Sequence, residues 1–254
     1  MGKTLKDITA VIPNWKTARM TRGAVASLQK NYPMINILIS DDGSNDTHGD
    51  YNRAYGRDAY YSDGKLDLDN DKLRSIPGTT FIEFKNHQGH GLTLDKMVKH
   101  VKTPLMLTMD SDMRIIGPGL LEEYLEKYNE DPDNIYAVGI EISEHWGYFK
   151  DGKTTTWRFT WVTPCFSLWN MEPLKRYERL SFTNFICPSM HLGTAGLLNW
   201  QLQHLDRCHA DREPYYEVRY PEPNKVPQLW HLRRNPNDPP DNERAQKWEE
   251  LIDG

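Results

Sequence analysis

The feature that most restricts the fold is a strand–helix–strand pattern near the start of the chain. Residues 7–15, DITAVIPNW, have the composition of a buried strand that ends at Pro13. Residues 17–32 carry apolar side chains at helical spacing, and residues 34–44, MINILISDDGS, form a second apolar strand. A strand, a helix and a strand in so short a segment predict a βαβ unit and therefore a parallel sheet. In such sheets ligands bind beyond the carboxyl ends of the strands.

The same alternation of strands and helices continues along the first half of the chain. Strands are predicted at 79–86, 104–112 and 135–143, and helices at 91–101 and 117–130. Residues 48–79 are polar and rich in Tyr and Asp, which predicts a long excursion that is partly loop.

After residue 145 the pattern changes to α+β. A hairpin is predicted around Asp151-Gly152, followed by an amphipathic helix at 195–208 and a short terminal helix. We expect a first half at 1–145, a second half at 146–235 that shares one cleft with it, and a C-terminal extension at 236–254.

Acidic residues follow two of the predicted strands. Asp41 and Asp42 end the second strand, and Asp110 and Asp112 follow the apolar segment TPLMLTM. Carboxylates at a strand tip repel each other and lose hydration unless a cation neutralises them. Mg²⁺ and related ions take oxygen ligands and bridge carboxylates to phosphates. An ordinary Asp-rich turn is the alternative for either pair taken alone.

Composition restricts the partners and the compartment. The net charge of −5 does not indicate nucleic acid as a partner and does not exclude it. The three cysteines lack C-x-x-C spacing, which argues against a disulfide framework and favours a reducing compartment, so a cytoplasmic location is expected. No apolar stretch reaches about 18 residues, so no membrane span is expected.

The order of four segments resembles that of a known family. ITAVIPNW, ILISDDGSNDT, FKNHQGHGLTLDKMVKHV and LMLTMDSDMRI resemble the sequential landmarks of GT-A glycosyltransferases, family 2 in particular. The resemblance covers residues 10–145 well and 160–235 loosely. It implies an α/β GT-A fold with a Rossmann-like nucleotide-binding half, whose sheet is mostly parallel, and an α+β acceptor-binding half. It also implies metal-dependent transfer of a sugar from a nucleotide-diphosphate sugar, with UDP-sugars favoured, to an unidentified hydroxyl acceptor.

The resemblance implies roles at the donor nucleotide. Pro13 would line the base pocket, and Asp42 and Asp41 would contact the uracil or the ribose. Asn86 would open the segment that covers the nucleotide. Asp110 would touch the ribose or a metal-bound water.

The resemblance also implies a metal site. Asp112, with Asp110, would hold the Mn²⁺ or Mg²⁺ that neutralises the diphosphate leaving group. Many GT-A enzymes place a histidine late in the chain as a further ligand, and His231 in VPQLWH lies at a comparable distance. An ordinary structural histidine is the alternative for His231.

The family pattern fails where the catalytic base is expected. Inverting members carry Glu-Asp before a helix, and the aspartate is the general base. Here Thr194-Ala195 occupies that place, and neither residue can accept a proton. Three alternatives stay open: His191 as the base, Glu141 as the base, or a retaining mechanism that requires no separate base.

A second departure concerns the segment NHQGHG and the helix after it. His90 and Asp95 stand where the family often has a basic residue and an asparagine, so the donor diphosphate or sugar would be held differently. The alternative functions are a non-catalytic or degenerate module that binds nucleotide sugar or carbohydrate, and transfer to an unusual acceptor such as a modified nucleic-acid base.

Overall fold

The computed structural model describes most of the first 203 residues and two later strands. The described residues are 2–44, 70–150, 153–177, 180–183, 185–187, 190–192, 194–203, 216–220 and 229–231. Much of the loop predicted at 48–79 and all of the extension at 236–254 lie outside these ranges.

Eleven strands and six α-helices are described. The strands are β1 (Ile8–Asn14), β2 (Asn36–Asp41), β3 (Thr79–Glu83), β4 (Leu105–Met109), β5 (Met113–Ile115), β6 (Ile135–Lys150), β7 (Lys153–Asn170), β8 (Phe185–Cys187), β9 (Met190–Leu192), β10 (Tyr216–Tyr220) and β11 (Leu229–His231). The helices are α1 (Ala18–Asn31), α2 (Asn70–Arg74), α3 (His90–Val98), α4 (Leu120–Glu130), α5 (Met171–Arg176) and α6 (Gly196–Gln203).

Seven strands form one mixed sheet in the order β10-β6-β7-β4-β1-β2-β3. Every neighbouring pair is parallel except the two pairs that involve β7. Six strands therefore end at the same edge of the sheet. The predicted α/β architecture with a mostly parallel sheet is confirmed. Two-stranded pairs, β5 with β11 and β8 with β9, lie outside this sheet.

Side chains on the two faces of the sheet form two separate cores. One core contains Ile8, Ala10 and Ile12 of β1 and the apolar sides of α1 and α4. The other contains Val11 of β1 and the apolar sides of α3 and α6. This split follows from the alternation of side chains along a strand, and it places helices on both faces.

A buried polar network joins β6, β10 and α6. The Tyr136 hydroxyl bonds to Asn199 Oδ1, lies 2.5 Å from Glu217 Oε2 and accepts from Gln203 Nε2 at 3.0 Å. Asn199 Nδ2 also donates to the Val162 carbonyl at 3.1 Å. Burial raises the pKa of Tyr136 well above its ordinary value. The network fixes α6 against the sheet through directional bonds.

Two strands, β1 and β6, differ from their predictions in where they end. β1 continues through Pro13 to Asn14. Its pairing with β4 ends at Val11, so the N–H that a proline lacks removes no hydrogen bond between β1 and β4. β6 extends to Lys150 instead of 143, because its pairing with β7 runs on until Lys150 faces Lys153. That register confirms the hairpin around 151–152. β6 also crosses the boundary expected at residue 145.

Helices in the described part of the chain are too short or too polar to cross a membrane.

Candidate active site

Asp41 lies at the end of β2 and is fully buried. Its carboxylate accepts from Asn14 Nδ2 at 2.6 Å, from the Ser44 backbone N–H at 2.9 Å and from the Ser44 hydroxyl. Asn14 Oδ1 in turn accepts from the hydroxyls of Thr21 and Thr17. Asp41 therefore holds the ends of β1 and β2 to the first turn of α1.

Asp42 holds the loop that precedes α3. Its carboxylate accepts from the backbone N–H groups of Gln88 and Gly89, both at 2.9 Å, and lies 2.8 Å from His87 Nδ1. Gly43, with φ +71°, makes this approach possible, because a Cβ there would lie 2.4 Å from the backbone of 86–87. Asp42 is only 3% exposed, so its charge is balanced by these donors.

An aromatic pair stands beside this loop. The rings of Trp15 and His87 stack with centroids 3.7 Å apart and an interplanar angle of 9°. Trp15 follows β1, and His87 is oriented by Asp42. Three segments that are distant in sequence thus build one flat surface at the carboxyl edge of the sheet.

The turn after β4 positions the second pair of carboxylates. The Asp110 backbone N–H donates to the Cys165 carbonyl at 2.8 Å, and the Met113 N–H closes the turn onto the Asp110 carbonyl at 3.1 Å. The Asp110 side chain is 28% exposed, and its Oδ1 lies 3.3 Å from His90 Nε2. Burial raises the pKa of the Cys165 thiol well above its usual value, and the negative charges of Asp110 and Asp112 raise it further.

A cavity of about 280 Å³ joins these groups. It brings together four of the predicted site residues, Pro13, Asp42, Asp110 and Asp112. The same cavity is lined by three residues that the sequence analysis did not assign to the nucleotide or the metal: Trp15, His87 and His90. The remaining lining residues are Asn14, Thr17, Met20, Gly89, Thr93 and Ser111.

Asp41 and Asn86 lie next to this cavity without lining it. Asp41 is behind the wall, and Asn86 is an exposed residue of the loop that Gly43 approaches. The sequence predicted ligand contacts for both, and these contacts stay predictions.

The chemistry of the lining residues fits a divalent cation. Asp110 and Asp112 offer hard oxygen ligands at a partly exposed surface, and their charge already acts on the Cys165 thiol. Within the described ranges, no group of three His, Cys, Asp or Glu side chains is arranged to hold a metal ion. A cation there would need further ligands, and the diphosphate of a nucleotide supplies oxygens of this kind.

β11 brings a late segment to the same turn. Its antiparallel pairing with β5 places His231 opposite Met113, the residue after Asp112. The sequence analysis did not predict this strand pair, since each strand has only three residues. The side chain of His231 lies outside the described part of the structure.

The residue that the resemblance aligns with a catalytic base, Ala195, is a buried alanine. Ala195 is fully buried with φ +67°, and its N–H donates to the Phe182 carbonyl at 2.9 Å. Glu141 lies on β6 opposite Val162, at a register shift, and does not line the cavity. His191 lies on β9 opposite Ile186, and its side chain is outside the description.

Helix α3 connects the cavity with the segment around Phe182. Asp95 accepts from the Phe182 N–H at 2.7 Å and from the Ser181 hydroxyl at 2.5 Å, and burial raises the pKa of its carboxyl. A Cβ on Gly91 would lie 2.6 Å from the Phe182 carbonyl oxygen, so only glycine permits this approach. The first turn of α3 therefore lines the cavity. Asp95, on the same helix, binds the 181–182 segment, which also accepts the Ala195 N–H.

A larger cavity of about 950 Å³ lies at the opposite edge of the sheet. Residues before β1, before β4, before β6 and after β7 line it, and they include four basic side chains: Lys3, Lys102, Lys175 and Arg176. It contains none of the predicted site residues. The predicted site residues that line a cavity all line the smaller one at the carboxyl edge.

Comparison with known proteins places these features in context. The model of the family described as "Glycosyl transferase family 2" matches residues 9–194. Among solved structures, the mannosyltransferase PcManGT from Pyrobaculum calidifontis, in complex with GDP-Man and Mn²⁺, matches with a TM-score of 0.52 and 11% identity, covering 85% of this chain and 55% of that chain. At this identity the likeness shows the fold alone.

A second solved structure is S. aureus TarS 1-349 in complex with UDP-GlcNAc, with a TM-score of 0.43 and 13% identity over 69% of this chain and 48% of that chain. The chain therefore spans about half the length of both matched structures. The search of curated proteins finds no match.

Proposed function

Because the chain belongs to glycosyltransferase family 2 and has the GT-A fold, we propose that it is a metal-dependent glycosyltransferase. The reaction moves a sugar from a nucleoside-diphosphate sugar, with a UDP-sugar favoured, to a hydroxyl acceptor. The observation that carries this proposal is the single cavity in which the Trp15–His87 stack lies beside Asp110 and Asp112.

The donor nucleotide binds along this cavity. The base packs on the ring surface of Trp15 and His87, next to Pro13, because nucleobases stack on flat π systems. Asp42 keeps that surface in place by binding the loop amides, and Asp41 supports it from behind. Asn86 opens the covering segment, and Asp110 accepts from a ribose hydroxyl or a metal-bound water.

The diphosphate lies over the second pair of carboxylates. A bound Mn²⁺ or Mg²⁺ neutralises the charge that grows on the leaving nucleoside diphosphate. Asp112 is the principal protein ligand, with Asp110 beside it. His231 is a further ligand in this proposal, supported by the pairing of its strand with the residues after Asp112.

The acceptor binds on the side formed by the second half of the chain. Residues 1–145 bind the donor, residues 146–235 bind the acceptor, and 236–254 are an extension. Ala195 cannot deprotonate the acceptor hydroxyl, so His191 is the preferred base, ahead of Glu141. A retaining mechanism without a separate base remains the alternative route. A cytoplasmic location stays a prediction.

A thermal-shift panel tests the donor and the metal together. We expect UDP or a UDP-sugar with Mn²⁺ to raise the melting temperature, since a ligand at one hundred times its Kd stabilises by about 2.7 kcal/mol. Asp112→Asn should abolish the metal-dependent part of the shift. The exposed Asp71→Asn is the matched control and should behave as wild type.

Release of the sugar decides between an enzyme and a degenerate binding module. The buried Ala195 in the place of the base is the observation that favours the module. An enzyme slowly hydrolyses its nucleotide sugar when Mn²⁺ is present, and Asp112→Asn removes that hydrolysis. If nucleotide binds and no sugar is ever released or transferred, the chain is a binding module.

A further inference from the structure

We propose that His90 is a direct ligand of the catalytic metal ion, next to Asp110, and that it makes the site favour Mn²⁺ and Co²⁺ over Mg²⁺. This inference rests on the proposed function, because it concerns the ion that holds the donor diphosphate. It assigns to this chain a nitrogen ligand at a position where the family often has a basic residue.

The backbone holds His90 at the rim of the cavity. His90 is the first residue of α3 and follows Gly89, whose φ of +91° turns the chain into the helix. Asp42 accepts from the N–H groups of the two preceding residues, both at 2.9 Å. The imidazole therefore extends from a fixed point on the scaffold.

The distance between His90 and Asp110 fits a shared ion. Nε2 of His90 and Oδ1 of Asp110 lie 3.3 Å apart. Two neighbouring ligands with metal bonds of about 2.1 Å are separated by about 3.0 Å around an octahedral ion and about 3.4 Å around a tetrahedral one. Both atoms can bind the same ion after movements of a few tenths of an ångström.

The surroundings leave room for the other ligands. The side chains of His90 and Asp110 are 34% and 28% exposed, and both line the cavity that Asp112 also lines. Diphosphate oxygens entering this cavity can complete the coordination sphere. Within the described residues no three His, Cys, Asp or Glu side chains are arranged to hold one ion, so His90, Asp110 and Asp112 would have to move together as the ion and the diphosphate bind.

The chemistry of imidazole predicts the choice of ion. A lysine or arginine at this position would contact a phosphate directly and could not bind a metal. An imidazole nitrogen suits transition metals, whereas Mg²⁺ requires oxygen ligands and gives up its water reluctantly. With an imidazole at position 90, the bound ion neutralises the diphosphate charge at this point of the cavity, and the nitrogen ligand restricts which ions serve.

Spectroscopy of bound Mn²⁺ tests the assignment without measuring turnover. The full chain is loaded with Mn²⁺ and UDP, and electron spin-echo measurements detect histidine nitrogen bound to the ion. Wild type should show this coupling, and His90→Gln should reduce it. His231→Gln shows how much of the coupling comes from His231, the other proposed nitrogen ligand. The matched control is His100→Gln, which replaces an exposed histidine just beyond α3 and should leave the coupling unchanged.

Calorimetry measures the preference between ions. His90→Gln should weaken Mn²⁺ binding in the presence of UDP by at least about tenfold, and should weaken Mg²⁺ binding far less. The preference for Mn²⁺ over Mg²⁺ should therefore fall by about the same factor. Circular dichroism and thermal unfolding verify that the variant is folded.

Three results would overturn the proposal. An unchanged nitrogen coupling in His90→Gln shows that His90 is not a ligand. An unchanged preference between the two ions shows that it does not select the metal. If His90→Gln binds UDP more weakly than wild type does in EDTA, where no metal is bound, His90 contacts the diphosphate directly. If wild type binds neither UDP nor Mn²⁺, the proposed function itself fails, and the inference fails with it.

Discussion

Asp41 and Asp42 are neighbours in the sequence, and the structure places them in different environments. Asp41 is enclosed by hydrogen bonds from Asn14 and Ser44, whereas Asp42 lines the 280 Å³ cavity and fixes the loop before α3. The residue type predicted that both would lie at the carboxyl edge. It could not predict which one supports the wall, because that depends on the partners supplied by β1 and α3.

Replacing each aspartate in turn with asparagine distinguishes its effect on stability from its effect on UDP binding. Asp41→Asn should lower the free energy of unfolding by about 2–4 kcal/mol, because the new amide faces buried donors that have lost their acceptor. Asp42→Asn should cost about 1–3 kcal/mol and also weaken UDP binding, since it loosens the loop that carries His87. Urea denaturation and calorimetry measure both, and equal effects of the two variants on UDP binding would contradict this division.

Trp15 is the residue on which the proposed base contact depends. Trp15→Leu should reduce UDP affinity by about 1–3 kcal/mol, because the leucine has no π face for a base to stack on. Trp15→Phe keeps an aromatic ring and should restore most of the loss. Fluorescence titration with UDP measures this, and equal affinities of the leucine and phenylalanine variants would exclude stacking on Trp15.

At the scale of elements, long periodic segments were predictable and short strands were not. β1, α1 and β2 follow from local apolar spacing, and their ends placed the acidic residues correctly at one edge. β5 and β11 have three residues each and pair across more than one hundred positions of sequence, so no local pattern indicates them. Trp15 could have been assigned to the site, since it directly follows a strand that ends at this edge.

Asp95 gives the contact between α3 and the 181–182 segment a dependence on pH. Burial raises its pKa, so the folded state favours the protonated carboxyl. The protonated Asp95 carboxyl therefore contributes stability fully at pH values below its ordinary pKa of 3.8. This contribution is lost as the pH rises through the raised pKa of the folded state. Asp95→Asn does not titrate, so it should become more stable relative to wild type between pH 4 and pH 7.

Urea denaturation at several pH values measures this difference. Lys99 also affects this carboxyl by lowering its pKa, and the amide of Phe182 and the hydroxyl of Ser181 act in the same direction. A difference between wild type and Asp95→Asn that does not change with pH would show that burial does not dominate at Asp95.

At the scale of the whole molecule, the two halves share one sheet. β6 begins in the first half and ends in the second, and β7, from the second half, pairs directly with β4 of the first half. The division into a donor-binding half and an acceptor-binding half stays a prediction. The register between the halves depends on long-range pairing, which sequence periodicity cannot supply.

The network around Tyr136 is the polar part of this assembly. Asn199→Ala should lower the free energy of unfolding by about 2–4 kcal/mol, because it removes the Asn199 bonds to the Val162 carbonyl and the Tyr136 hydroxyl in a buried site, and the hydroxyl keeps only Glu217 and Gln203. The exposed Asn36→Ala should change stability by less than about 0.5 kcal/mol. Chemical denaturation measures both, and a small effect of Asn199→Ala would show that water replaces the lost bonds.

The larger cavity at the amino edge has a consequence for inhibitor discovery. A fragment screen that ranks sites by volume would favour this 950 Å³ space over the 280 Å³ cavity that we propose for the donor. The five residues of β4 run between the two edges of the sheet, a length of about 17 Å. Inhibition by a compound bound in the larger cavity would therefore not arise from direct overlap with a donor in the smaller one.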